Sequence, residues 1–167
     1  MINRHVLSVL VENHSGVLSR VAGLFSRRGY NIDSLTVGET EDTTVSRMTI
    51  VVRGDDYTLE QIKKQLHKLV DVIRVVTLDP EASVYRELVL VKVNADADSR
   101  AAISEIADIF RAKIIDVSAG TMTVEITGDE SKVKAFIDLV KPYGIRELAR
   151  TGITALQRGE REIKNLN

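Results

Sequence analysis

The sequence predicts an α+β protein made of two tandem βαββαβ sandwiches. Three observations predict it. Short Val- and Leu-rich runs alternate with longer stretches whose apolar residues recur at helical spacing. The order strand, helix, strand, strand, helix, strand can be read twice in 167 residues. Local pairs also repeat between the halves: Leu24-Phe25 then Ile32-Asp33 in the first, Ile109-Phe110 then Ile115-Asp116 in the second.

His5–Glu12 (HVLSVLVE) is rich in Val and Leu and too short for an ordinary helix, so it reads as a strand. Asn13-His14-Ser15-Gly16 is a turn, with Ser15 as the capping residue. Val17, Leu18, Val21, Leu24 and Phe25 then follow a helical period that Gly29 stops. Asn31–Glu39 and Val45–Arg53 read as strands. In the second of these Met48, Ile50 and Val52 alternate with Arg47, Thr49, Val51 and Arg53, which suits a sheet with one face on a core. Asp55-Asp56 opens a helix with Leu59, Ile62, Leu66 and Leu69 in one stripe, and Val72–Leu78 closes the unit. This strand order is that of a ferredoxin-like sandwich.

Asp79-Pro80-Glu81 is a short break, which divides the chain into domains 1–79 and 80–167. Then the order repeats. Tyr85–Ala95 is a strand. Asp98 or Ser99 caps a helix carrying Ile103, Ile106, Ile109 and Phe110. Ile114–Ser118 and Thr121–Thr127 form a hairpin around Ala119-Gly120. Asp129 caps a helix with Val133, Phe136, Ile137 and Val140, and Ile145–Thr151 is the last strand. Gly159–Asn167 is polar and is expected to fray. Each sandwich carries helices on one sheet face only. Leu35, Val37 and the first strand leave apolar groups on both faces, so a partner chain or the other half is expected to cover the outer one.

Composition narrows the function. At 44% hydrophobic and 28% charged residues the chain has the means for a packed core. A net charge of −1 calls for neither nucleic acid nor an anionic membrane. The absence of cysteine excludes disulfides, thiolate metal sites and cysteine nucleophiles. Met1–Glu12 has no signal-peptide pattern, and no run approaches the roughly 20 apolar residues of a membrane span, so a cytoplasmic protein is expected.

Two stretches invite a ligand. Asn13–Arg20 places a tight turn at a helix N-terminus, where backbone N–H groups and the helix dipole favour a carboxylate, and Gly16 permits close approach. An ordinary turn and cap satisfies the same pattern. In Arg27–Leu35 the arginines sit at a helix C-terminus and Asn31 either meets a ligand or completes the turn. His5, His14 and His67 have neither metal-ligand spacing nor an evident acid partner, and read as surface or core residues. Glu41-Asp42, Asp55-Asp56 and Asp96/Asp98 read as turns and caps. No nucleophile elbow, zinc-protease motif, P-loop or dinucleotide fingerprint occurs, so no catalytic residue and no metal ligand is expected.

The runs 11–40 (VENHSGVLSRVAGLFSRRGYNIDSLTVGET), 46–52, 60–75, 86–93, 105–118 and 149–160 resemble the acetohydroxyacid synthase (acetolactate synthase) small-subunit family, whose first half is an ACT domain. The resemblance covers nearly the whole chain. It implies a non-catalytic regulatory subunit with no cofactor of its own. Thiamine diphosphate, Mg²⁺ and FAD belong to a catalytic large subunit that condenses pyruvate with pyruvate or 2-ketobutyrate. It further implies that the small subunit raises large-subunit activity and confers feedback inhibition by valine or another branched-chain amino acid. The ACT domains pair as a homodimer with the effector at their interface. Carried over by motif, one chain offers Asn13, Gly16, Val17 and Leu18 and the other Asn31 and Ile32, with Val17, Leu18 and Ile32 on the isopropyl group.

Other classes share parts of this pattern. A stand-alone ACT sensor serving another enzyme has the same ligand motif. An RNA-recognition module has the same strand order but stacks bases on strand aromatics, and strands 5–12 and 45–53 hold none. A phosphate-cleaving sandwich of the acylphosphatase type needs cationic stabilisation in its first turn, and 13–16 has no Arg or Lys.

Overall fold

The computed structural model describes Met1 and residues 3–165 and divides the chain into two compact units. In the first, β1 (Asn3–Glu12), α1 (Val17–Arg27), β2 (Ile32–Glu39), β3 (Val45–Gly54), α2 (Asp56–His67) and β4 (Val72–Leu78) follow in order. The sheet runs β2-β3-β1-β4 and is antiparallel throughout. The two longest strands take the centre, where both edges are hydrogen-bonded. Leu7, Val9, Val11, Met48, Ile50 and Val52 alternate onto one face and meet Val17, Val21, Leu24 and Phe25 of α1 and Leu59, Ile62 and Leu66 of α2. Both helices are amphipathic at the 3.6-residue period, so each buries one stripe.

The second unit repeats the plan with β5 (Ser83–Asn94), α3 (Arg100–Ile109), β6 (Lys113–Val117), β7 (Thr121–Gly128), α4 (Glu130–Val140) and β8 (Ile145–Arg150). Its order, β6-β7-β5-β8, is that of the first sheet element for element. Val89, Val91, Val93, Met122, Val124 and Ile126 face Ile103, Ala107, Val133, Phe136 and Val140. Phe110 packs edge-to-face on Phe136 at 5.6 Å. The architecture is α+β, two ferredoxin-like sandwiches in tandem, as the repeated pattern predicts.

Several expectations are corrected. The contact division falls at Val84/Tyr85 rather than at 79/80, and from Ile153 onward the chain belongs to the first unit. Gly152, at φ 86°, turns it there. Thr154–Gln157 forms a short β9 that the strand rules do not reveal, since only Ile153 and Ala155 alternate inward; β9 pairs with β5, whose first two residues lie in the first unit. The tail from Gly159 does not fray as a whole: Ile163 is buried and Lys164 pairs with Glu41, while 166–167 lie outside the described residues.

This returning segment crosses the outer face of the first sheet. Ser34 Oγ accepts from the Ile153 N–H, Thr36 Oγ1 donates to the Ile153 carbonyl and Arg47 Nη1 donates to that of Ala155. The chain's own C-terminal segment therefore covers part of the face assigned above to a partner or to the other half. Capping differs in detail as well. Ser15 makes no cap; Gly16 stands at that position. Ser99 stands at the cap position of α3 without a side-chain cap bond, while Asp96 accepts from the N–H groups of Asp98 and Ser99. Ile109 is 70% exposed, outside the α3 stripe.

Candidate effector site at the first helix N-terminus

The β1–α1 turn is held from three sides. Glu12 N–H donates to the Asp71 carbonyl at 2.9 Å and Asn13 N–H to the Thr44 carbonyl at 2.8 Å. The Asn13 amide also donates to the Thr43 carbonyl at 2.9 Å and to Glu39 Oε1 at 3.2 Å. Gly16 then adopts φ 88°, ψ −13°, a left-handed conformation that disfavours a side chain. Helix α1 starts at Val17 without a side-chain cap. Its first internal bond runs from Arg20 N–H to the Gly16 carbonyl, so the N–H groups of Val17, Leu18 and Ser19 point out of the helix end. Val17 has its side chain in the core, which corrects the expected isopropyl contact: what it can offer a ligand is its N–H. Leu18 is 48% exposed beside it.

A cation overlooks this turn. Arg20 Nε donates to Asp71 Oδ2 at 2.6 Å, and its Nη1 lies only 2.8 Å from where a Cβ on Gly16 would stand. Asp71 is itself buried. Its other oxygen faces His14 Nε2 at 3.0 Å, and that nitrogen also meets Glu12 Oε2 at 3.2 Å. The Ser15 carbonyl, then Glu12 and Asp71, hold the imidazole above its ordinary pKa. His14 thus has two acid partners, against the sequence reading. Glu12, His14 and Asp71 each offer one potential metal-ligand atom within 4.8 Å of the others. With Arg20 already on Asp71, the group is an ion-pair network whose positive charge is built in.

The second stretch begins where α1 ends. Gly29 takes φ 69°, as a helix stop requires, with Arg27 in the last turn. Asn31 is exposed and donates to Asp33 Oδ1 at 3.0 Å, and Ile32 packs partly against the first core. Among the described residues no hydrogen bond joins Asn31 or Ile32 to the Asn13–Leu18 turn. Within the single chain the two stretches are therefore separate. Sequence reasoning missed Arg20 and Asp71. Arg20 could have been found, since residue i+4 overlies the turn where its helix begins; Asp71 has no local signal, being 51 residues away.

Residues 7–74 match the model of the AHAS small subunit-like ACT domain, and residues 86–159 that of the small subunit of acetolactate synthase. The acetolactate synthase small subunit of Mycobacterium bovis is 56% identical over 159 residues, 95% of this chain and 95% of that one. That of Haemophilus influenzae is 52% identical over 161 residues, covering 96% and 99% of the two chains. The crystal structure of the acetolactate synthase small subunit from Thermotoga maritima superposes with a TM-score of 0.88 at 50% identity, over 95% of this chain and 99% of that chain. With both sandwiches matched and such relatives aligned over nearly the whole chain, the chain belongs to the acetolactate synthase small-subunit family.

Proposed function

We propose that the chain is the regulatory subunit of an acetolactate synthase, that it raises the activity of a catalytic large subunit and that it confers feedback inhibition by valine. The observation that carries this reading is the Gly16 turn: an uncapped helix N-terminus and a guanidinium converge on one exposed point, the donor set that a carboxylate takes up. Asn13, Gly16, Val17 and Leu18 form one half of the effector site. Asn31 and Ile32 of a second copy form the other, in a homodimer joined through the first units. A site divided between chains exists only when the interface is formed. That provides the differential affinity without which valine could shift no equilibrium.

In this reading the thiamine diphosphate, Mg²⁺ and FAD stay with the large subunit, and the small subunit does no chemistry itself. Among the described residues no helix is long and apolar enough to cross a membrane. The test is reconstitution of wild type and Asn31→Ala with the large subunit, with activity followed against valine and binding followed by calorimetry. Asn31→Ala should keep activation and bind valine more weakly by about 1–3 kcal/mol, the cost of one lost buried hydrogen bond. A variant that binds and responds to valine like wild type would place the effector elsewhere. Failure of the chain to associate with or activate a large subunit would instead favour a sensor for another enzyme.

A further inference from the structure

On the outer face of the first sheet the chain builds a cavity of about 430 Å³, a volume suited to a small molecule. Ser8 and Leu10 of β1 and Arg47 of β3 line it from the sheet side; the register sets Leu10 opposite Arg47. Leu156 and Ile163 line it from the returning C-terminal segment, and Ile73 and Leu78 from β4. Every lining residue belongs to the first unit.

Two polar groups in this cavity lack the partners that burial calls for. Ser8 is wholly buried, and its hydroxyl has no hydrogen-bond partner among the described residues. Arg47 is half-buried; Nη1 donates to the Ala155 carbonyl at 3.3 Å, and no ion pair to a carboxylate is formed among the described residues. A guanidinium carries five N–H donors, so most of its fork remains for another acceptor. Burial lowers its pKa, which an anion alongside would reverse. Three acids line the cavity without an ion pair to Arg47: Glu41, which holds Lys164 and acts on Arg47 through its charge, Asp42, whose Oδ1 accepts from the Thr44 N–H and hydroxyl, and Glu162.

We infer that this cavity is a second ligand site, for a small aliphatic monocarboxylate. Its carboxylate lies on the Arg47 fork, and its hydrocarbon body lies against Leu10, Ile73, Leu78 and Leu156. A dianion is disfavoured by the carboxylates of Glu41, Asp42 and Glu162, which line the same cavity. The site shares no residue with the valine reading and does not depend on it.

The probe is isovalerate, which has no ammonium group, compared with its uncharged counterpart isoamyl alcohol by calorimetric titration of the full chain. Wild type should bind isovalerate, and the alcohol at least about tenfold more weakly, since a charge-assisted hydrogen bond is lost. Arg47→Met, which keeps the aliphatic stem, should lose the same factor, and Asn31→Ala should bind as wild type does. No binding of isovalerate up to about 10 mM, too weak for a specific site, overturns the proposal. So does equal binding of the alcohol, which needs no variant to be measured. So does loss of binding in Asn31→Ala with Arg47→Met unaffected, which would mean that isovalerate occupies the effector site.

Discussion

Replacing Gly16 separates the backbone demand of the turn from its charge. At φ 88° any L-residue pays for the left-handed conformation, about 1–2 kcal/mol. A Cβ would also stand 2.8 Å from Arg20 Nη1 and 3.5 Å from its Cζ. The guanidinium must then shift, and its 2.6 Å bond to Asp71 resists that. Its side chain is 46% exposed, however, so Nη1 can turn aside while Nε stays on Asp71, and the clash adds little. Gly16→Ala should therefore cost about 1–2 kcal/mol of stability, nearly all from the backbone. Gly16→Asp should cost about the same, but it places a carboxylate beside Arg20 where the effector's own is expected. That group pairs with the cation and repels a second anion. Valine affinity should fall further in Gly16→Asp than in Gly16→Ala, by at least about tenfold or 1.4 kcal/mol. The assays are denaturant unfolding of both variants, calorimetric titration with valine, and inhibition of the reconstituted enzyme. Equal valine affinity in the two variants, with the expected loss of stability in each, would refute a carboxylate site at this turn.

Two further outcomes can be checked on the isolated chain. His14 has its pKa raised above the ordinary 6.5, so its contribution to stability is fully present below about pH 6.5 and is lost as pH rises through the folded-state value. The deficit of His14→Gln relative to wild type should then be larger at pH 6 than at pH 8.5 in denaturant unfolding, and a proton NMR titration of His14 with a midpoint at or below 6.5 would contradict it. Asp129 caps α4, accepting from the Lys132 N–H at 2.9 Å and the Ser131 hydroxyl at 2.8 Å, and these bonds lower its pKa. Asp129→Ala should cost about 0.5–2 kcal/mol at pH 7, a cost that shrinks as pH falls below 3.8 through the lowered value; an unchanged denaturant midpoint at neutral pH would count against the cap.

By itself the sequence determined the helices and strands of the two sandwiches and their order, β9 excepted. Hydrophobic periodicity is a local property, so Leu59, Ile62 and Leu66 on one helix stripe and Met48, Ile50 and Val52 on one strand face could be read before any contact was known. The same holds for caps that need only a short polar side chain three residues upstream of an N–H, as at Asp55 and Asp129. The motif Asn13–Leu18 was equally legible, because a turn between a strand and a helix is written in consecutive residues. What only the tertiary structure decided rests on residues far apart in the chain. Asp71 meets Arg20 across 51 positions and gives the Gly16 turn its cation. Ile153 reaches back 117 residues to Thr36, so that the segment after Gly152 covers part of the outer sheet face and helps to line the Arg47 cavity. Neither pairing leaves a local signal. A lone carboxylate or a single buried isoleucine has no period, and its partner is chosen by where the packed sheets bring the chain, through the balance of desolvation and contact in the folded molecule rather than the preference of any one segment.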